Sequence, residues 1–256
     1  MLETLNRALH SKSAAMLVSL ESNLGRMMWT WLLLAGIAVA LRIAVGPIPS
    51  GIQPGTFAPY FLLILAPVAS MVLALRWFTR GERLPQATVR LARIGAWRLV
   101  GLGQAARHPL YGAGGLMVSL LVGMLLNVPL RAAEYLAAMP ALSGPVPAWL
   151  STLRLMMTID VVLLTSLYII AFVAALRRVP SFPRLLAAIW LLDLGMQIAT
   201  ARMVGEMPDL PANVAGALHS LLEGNVIKTL LSIALWLPYL LLSKRVNVTY
   251  RHRVPA

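Results

Sequence analysis

The sequence predicts an all-α, polytopic membrane protein, built as a bundle of about six transmembrane helices with both termini in the cytoplasm. Three observations lead to this prediction. The 256-residue chain is 59% hydrophobic and only 12% charged, about half of the charged share that is usual in a soluble domain. Six apolar segments approach the roughly 20 residues that a helix needs to cross a bilayer. Lys and Arg are concentrated in alternate loops, which indicates a fixed orientation in the membrane.

The six predicted spans are long apolar runs that contain few charged residues. They cover residues 27–46, 57–78, 110–130, 155–176, 183–201 and 224–243. The tail 1–26, the loop 79–109, the link between spans four and five, and the tail 244–256 are rich in Lys and Arg, whereas the other three loops hold only Arg131, Arg154 and Arg202 near their edges. We therefore predict two cytoplasmic basic tails, a two-span module (27–78), an Arg-rich cytoplasmic loop (79–109) and a four-span domain (110–243).

Composition and motifs exclude several classes of function. The net charge is +13, but its basic residues form short clusters between apolar runs, so we predict lipid contacts and no nucleic-acid partner. The chain has no Cys, which excludes disulfides, thiolate metal sites and a cysteine nucleophile. The four His are scattered without the spacing of metal ligands. We predict no metal site, no cofactor and no catalytic set.

The Arg-rich loop 79–109 contains six Arg and a single acid, Glu82. Basic residues beside the inner leaflet attract anionic headgroups. We predict that these residues dock lipid or a partner protein; the alternative is that they only set the topology of the chain. The six candidates are Arg80, Arg83, Arg90, Arg93, Arg98 and Arg107.

Ionisable residues also occur inside the predicted spans, where they are costly and normally face the protein interior. We predict that they form a polar cluster in the outer half of the bundle. One interpretation is a substrate or proton site at Asp160 or Asp193; the other is a set of buried pairs that fix the register of the helices. The predicted members are Asp160, Asp193, Gln197, Arg131, Arg154 and Lys228.

Small residues recur at four-residue spacing in the first and third spans. Such faces allow close approach of a second helix backbone, and they favour helix packing at these positions. The residues are Gly36, Ala40 and Ala44 in the first span, and Gly115, Ser119 and Gly123 in the third.

The stretch Arg107-His108-Pro109-Leu110-Tyr111-Gly112 is similar to the Arg-His-Pro-x-Tyr stretch of membrane isoprenylcysteine-type methyltransferases. In that family the stretch helps to bind S-adenosylmethionine. The acidic pair and the Pro-Arg tail that follow it there are missing here. A methyltransferase is therefore carried only as an alternative function.

Four stretches in the second half of the chain carry a broader resemblance. They are Gly114-Gly115-Leu116 with Pro129-Leu130-Arg131, Leu167-Tyr168 with Phe172 before Arg177-Arg178, Phe182-Pro183-Arg184-Leu185, and Trp236-Leu237-Pro238-Tyr239 with Ser243-Lys244-Arg245-Val246. On these residues the chain from about 111 to 250 resembles the bacterial domain-of-unknown-function family 2569, a four-span membrane family. Leu116 stands where the usual pattern of the family has Trp. The resemblance implies a four-span fold and supplies no activity.

These observations lead to three alternative functions for a multi-pass protein of the bacterial inner membrane. The first is a non-catalytic accessory or structural subunit that packs against a larger membrane complex. The second is a small-molecule or proton-coupled transporter that uses Asp160 and Asp193. The third is the membrane methyltransferase. The expected partners are anionic lipids of the inner leaflet and other membrane proteins.

Overall fold

A computed structural model describes residues 2–45, 54–86, 95–140 and 146–256 of the chain. Within them, six helices are long and apolar enough to cross a membrane, which confirms the predicted fold class and number of spans. The helices are α1 Leu2–Ser22, α2 Leu24–Val45, α3 Pro54–Trp77, α4 Leu102–Ala106, α5 Leu116–Ala138, α6 Ala148–Leu176, α7 Phe182–Gly205, α8 Ala212–Leu242 and α9 Lys244–Arg251; the strands are β1 Trp97–Leu99 and β2 Arg253–Pro255.

The helix ends differ from the predicted spans because hydropathy reflects whether a segment favours lipid or water. It does not report where the backbone is helical. The third span begins at Leu116 instead of residue 110, since Gly112 (φ +109°) and Gly115 (φ +66°) adopt left-handed conformations that interrupt a helix. The last span begins at Ala212 instead of residue 224. Its first turns carry the exposed side chains of His219 and Glu223, so this helix extends beyond its apolar part.

Helix α6 lies at the centre of the bundle, with α3, α5 and α7 packed against it; α8 packs on α7, and α2 packs on α3. The last six residues of α6, from Ala171 to Leu176, are all buried, and Ala171, Ala174 and Ala175 have no exposed surface. Small side chains at these positions allow neighbouring helices to approach closely, which stabilises helix association in lipid through van der Waals contact. Helix α3 of the predicted two-span module packs directly on α6 of the predicted four-span domain.

The described parts of the segments rich in Lys and Arg lie together at one end of the bundle, which we call the basic end. The backbone N–H of Gly115 donates a hydrogen bond to Ser13 Oγ of α1 (3.2 Å), and Arg178 pairs with Glu82 at 3.2 Å. At the opposite end, Arg42 Nε donates to the Met139 carbonyl (3.2 Å). This arrangement agrees with the alternation of the loops; the assignment of the basic end to the cytoplasm stays a prediction.

The segment predicted as a basic C-terminal tail is folded against the bundle. It forms α9 and β2, and β2 pairs antiparallel with β1, with Leu99 opposite Arg253. The Tyr250 side chain is fully buried and donates a hydrogen bond to the Ala175 carbonyl (2.8 Å). Its ring also contacts Phe182, with the centroids 5.1 Å apart. The last residues therefore close the basic end of the helix bundle.

Candidate functional site

Four of the six residues predicted to form an intramembrane polar cluster lie together. Arg131 of α5 contacts Asp160 of α6 and Asp193 of α7, and Gln197 of α7 contacts both carboxylates. Arg131 lies about 22 Å from the Leu116 end of α5, at 1.5 Å per residue. We call these four residues, with Asn127 and Tyr168, the Arg131 cluster.

The hydrogen bonds of the Arg131 cluster form a closed network. Arg131 donates from Nη1 to Asp160 Oδ2 (2.9 Å), from Nη2 to Asp193 Oδ2, and from Nε to Asn127 Oδ1 (2.9 Å). Gln197 Nε2 donates to Oδ1 of Asp160 (3.1 Å) and to Oδ1 of Asp193 (3.2 Å). Each guanidinium nitrogen donates a hydrogen bond, and each carboxylate oxygen accepts one, so every polar atom of these three side chains has a charge-assisted or amide partner within the protein.

Burial makes this pairing energetically important. Arg131 is 8% exposed, Asp193 1% and Gln197 3%. Breaking a buried ion pair by removing one partner costs about 3–5 kcal/mol, because an uncompensated charge is left behind. One guanidinium faces two carboxylates, so Arg131 holds α6 and α7 together on one side of α5.

Sequence reasoning did not assign a role to Tyr168, which completes the cluster. Its hydroxyl donates to Asp193 Oδ2 (3.2 Å), and the Arg131 guanidinium lies 5.9 Å from the centre of its ring. Tyr168 lies about two helical turns beyond Asp160 on α6. That spacing was the available signal, because it places both side chains on one side of the helix.

Lys228 of α8 belongs to a neighbouring ion pair. It contacts Glu134 of α5 and donates to Asn225 Oδ1 (3.3 Å). A cavity of about 30 Å³ lies between α5 and α8 and is lined by Lys228, Glu134, Arg131 and Tyr168. About 10–15 Å³ of such space is enough to hold one water molecule, so this cavity has room for only a few water molecules. The cavity therefore borders the side of the Arg131 cluster that faces α8, but it is too small for an organic substrate.

Arg154 lies apart from the other predicted members. It is close to Tyr60 and Tyr135, near the end of the bundle where Tyr60 donates to the Met139 carbonyl (3.5 Å). Its distance from Arg131 follows from the helix geometry, since Arg154 is near the start of α6 whereas Asp160 is almost two turns further along.

The two small-residue faces have different surroundings from each other. On α2, Ala40 and Ala44 are exposed, and a Cβ added to Gly36 would meet no atom within 4 Å. Gly115, just before α5, lies against Arg245. Gly123 of α5 has open space beside it. Among the described residues, neither Gly36 nor Gly123 lies at a close contact between helices.

The Arg-rich loop is only partly described. Arg90 and Arg93 lie outside the described residues. The side chains of Arg80, Arg83, Arg98 and Arg107 are exposed. They are therefore accessible, but their role as docking residues stays a prediction.

The stretch from Arg107 to Gly112 forms local structure at the basic end. His108 Nδ1 accepts a hydrogen bond from the Leu110 N–H (3.1 Å), and Tyr111 donates to Glu82 Oε2 (3.2 Å). The Arg178 guanidinium lies 5.4 Å from the centre of the Tyr111 ring. Burial, followed by the nearby Glu82 charge, raises the pKa of Tyr111 above its usual value of 10.0. Its hydroxyl therefore stays protonated and remains a hydrogen-bond donor.

Buried basic residues also line the closing segment of the basic end. Burial, together with Arg253 and Arg184, lowers the pKa of Arg251 to about 10. Burial lowers the pKa of His252, and the Glu82 charge opposes this change. Within the described part of the chain, no three His, Asp or Glu side chains lie close enough to hold a metal ion.

Comparison with known proteins gives one match. The family model described as "Protein of unknown function (DUF2569)" matches residues 110–251, which include α5 to α9 and the whole Arg131 cluster. No curated protein and no solved structure matches the chain.

Proposed function

Since this chain belongs to the DUF2569 family of proteins of unknown function, we propose its role from its own surfaces: it is a non-catalytic accessory subunit. In this proposal it is a multi-pass protein of the bacterial inner membrane that packs against a larger membrane complex. The proposal accounts for a protein in which Asp160 and Asp193 are paired with Arg131 and in which a small-residue face of α2 points outward.

The observation that carries the proposal is the unoccupied small-residue face of α2. Ala35 and Val39 are each 6% exposed and face the bundle. Gly36, Ala40 and Ala44 lie on another side, where no atom approaches the Cβ position of Gly36. Small residues at this spacing allow a second backbone to approach closely. A helix of another protein would find that approach open here.

Large apolar side chains extend this face toward the start of α2. Trp29 is 74% exposed and Leu33 64% exposed, and spacings of three and four residues place them on the side of Gly36 and Ala40. A face with large side chains beside small ones offers both a ridge and a groove to a partner helix. The expected partner is therefore an apolar transmembrane helix of another protein.

The Arg131 cluster supports a structural role more than transport. Its carboxylate oxygens already accept hydrogen bonds from Arg131, Tyr168 and Gln197. The cavity beside it has a volume of about 30 Å³, and neither Asp160 nor Asp193 lines it. A transport site needs ionisable groups that exchange partners with a substrate or proton, and these groups have protein partners.

The test is purification of the native protein in a gentle detergent, followed by mass spectrometry of everything that elutes with it. We expect a stoichiometric membrane partner. Ala40→Leu should remove that partner, because the added side chain fills the helix contact. Ala234→Leu is the matched control, since Ala234 is exposed on α8 and receives the same change.

Two results would overturn the proposal. One is elution of the wild-type protein alone as a monomer or homo-oligomer. The other is equal loss of the partner in the Ala40→Leu and Ala234→Leu variants, because the α2 face would then have no specific part in assembly. Unchanged circular dichroism and elution volume of the purified chain would show that both variants are folded.

A further inference from the structure

A large groove lies between α1, α5 and α8, with its opening at the basic end of the bundle. Its volume is about 840 Å³, within the range of roughly 300–1,000 Å³ that is typical of small-molecule sites. Lys12 of α1, with Lys244 and Arg245 of α9, lines the end of the groove nearest the chain termini. Among the described residues that line it, none is acidic.

The three cations are available to an anion. Within the described part of the chain, no ion pair includes Lys12, Lys244 or Arg245. Arg245 Nη1 donates a long hydrogen bond to the Gly112 carbonyl (3.4 Å), which leaves charge on the guanidinium uncompensated. Lys12 and Lys244 are exposed. An anionic group here would satisfy three cations at once.

Arg245 lies beside two glycines, Gly114 and Gly115, at the mouth of the groove. A Cβ added to Gly114 or Gly115 would lie 3.5 Å or 3.4 Å from the Arg245 guanidinium, and Gly115 has a φ of +66°. Only glycine adopts that conformation readily. The turn before α5 therefore favours glycine at position 115 for its backbone conformation, and it brings Arg245 to the mouth of the groove.

Most of the other residues that line the groove are apolar, and Ser13, Ser119, Tyr239 and Ser243 add hydroxyl groups. Leu116, Val122 and Leu126 of α5 line it, and Gly123 widens it. From Leu116 to Leu126 the helix rises about 15 Å, which is half of the roughly 30 Å hydrocarbon core of a bilayer. The groove therefore reaches from the membrane surface to about the middle of the bilayer.

We propose that this groove binds an anionic phospholipid from the leaflet on the side of the chain termini. The phosphate lies between Lys12, Lys244 and Arg245, and one acyl chain lies along α5 beside Gly123. Charge decides the class of lipid, because three cations without an acid favour a headgroup of net negative charge. This site is separate from the α2 face and does not depend on the accessory function.

The test is a titration of the purified full-length protein with lipid, followed by native mass spectrometry. Phosphatidylglycerol and phosphatidylcholine with identical acyl chains serve as anionic and zwitterionic probes. We expect phosphatidylglycerol to bind more tightly. Lys12→Gln with Lys244→Gln should weaken its binding about thirtyfold, at about fivefold for each basic residue. These two side chains are exposed, so their replacement should leave the fold unchanged.

A second variant tests the acyl-chain part of the site. Gly123→Leu fills the groove without changing charge and should also reduce phosphatidylglycerol binding. Gly195→Leu is its matched control, because Gly195 is an exposed helical glycine with open space at its Cβ position. Arg76→Gln with Arg177→Gln is the control for charge, since both side chains are exposed outside the groove and neither belongs to the predicted docking residues.

Three results would overturn the lipid site. The first is equal binding of the two lipids by the wild-type protein. The second is a loss in either groove variant that is no larger than in its control. The third is competition by glycerol phosphate, which has the headgroup charge but no acyl chain, at concentrations equal to those of the lipid. Selective loss in both groove variants with no such competition would support it.

Discussion

Replacing Arg131 with Met tests whether the Arg131 cluster stabilises the bundle. The change removes the guanidinium but keeps an apolar side chain of similar length, so it leaves Asp160 and Asp193 facing each other without their cation. Asp193 is 1% exposed, and the Asp160 side chain is 14% exposed. Little water can therefore replace the lost partner. We expect a loss of about 3–5 kcal/mol, the usual cost of breaking a buried pair.

The measurement is thermal unfolding in detergent micelles, followed by intrinsic Trp fluorescence and by loss of the monodisperse elution peak. A loss of that size corresponds to a fall in Tm of roughly 6–20 °C for a chain of about 250 residues. Lys228→Met is the matched control. Its ion pair with Glu134 has a Lys side chain that is 53% exposed, against 9% for Arg131, so its removal should cost less than that of Arg131.

A compensating variant separates the charge effect from a packing effect. Arg131→Met combined with Asp160→Asn and Asp193→Asn removes the buried negative charges and should recover most of the lost Tm. The reasoning is refuted if Arg131→Met lowers Tm no more than Lys228→Met. It is also refuted if the triple variant is no more stable than the single one, because packing and not charge would then explain the loss.

Three further predictions concern the basic end. Gly81→Ala should lower the free energy of unfolding by about 1–3 kcal/mol through overpacking, because the new Cβ would lie 2.6 Å from Val179 Cγ2. Chemical denaturation measures this loss, and a variant as stable as the wild type would contradict the prediction. Tyr250→Phe should lower the free energy of unfolding by about 1 kcal/mol, since the Ala175 carbonyl loses its 2.8 Å hydrogen bond. Amide hydrogen exchange should then become faster in α9 but not in α5. Because burial lowers the pKa of His252, its contribution to stability is present above about pH 6.5 and is lost as the pH falls. The protection factors of the C-terminal segment, which correct for the slower intrinsic exchange at low pH, should therefore fall on acidification, and His252→Asn, which fits the left-handed backbone there (φ 47°), should remove that dependence.

The number of spans and the membership of Asp160, Asp193 and Arg131 in one cluster could be predicted from the sequence. Both rest on the cost of charge in lipid, which restricts where ionisable residues point. The pairing itself could not be predicted, because hydropathy does not fix how the helices are arranged around α6. Arg154 and Arg131 look equivalent in the sequence, yet only Arg131 reaches the two carboxylates.

The folded C-terminal segment was also beyond sequence reasoning. Lys244, Arg245 and Arg251 give it the composition of a cytoplasmic tail. Its fold depends on Tyr250, which fits between Ala175 and Phe182, residues more than sixty positions away in the chain. A short polar helix shows no strong signal in a hydropathy profile, and its stability comes from this tertiary contact.

Water is absent from the hydrocarbon core, and this explains why the two polar regions of the protein differ. At the depth of the Arg131 cluster an unpaired polar group is costly, and there Asp160 and Asp193 have protein partners for each oxygen. At the basic end, water and headgroups can solvate an open cation, and there Lys12, Lys244 and Arg245 line an open groove. A ligand gains affinity where cations are unpaired and gains little where every charge has a partner. Binding is therefore expected at the basic end, while the Arg131 cluster fixes the arrangement of the helices that form the groove.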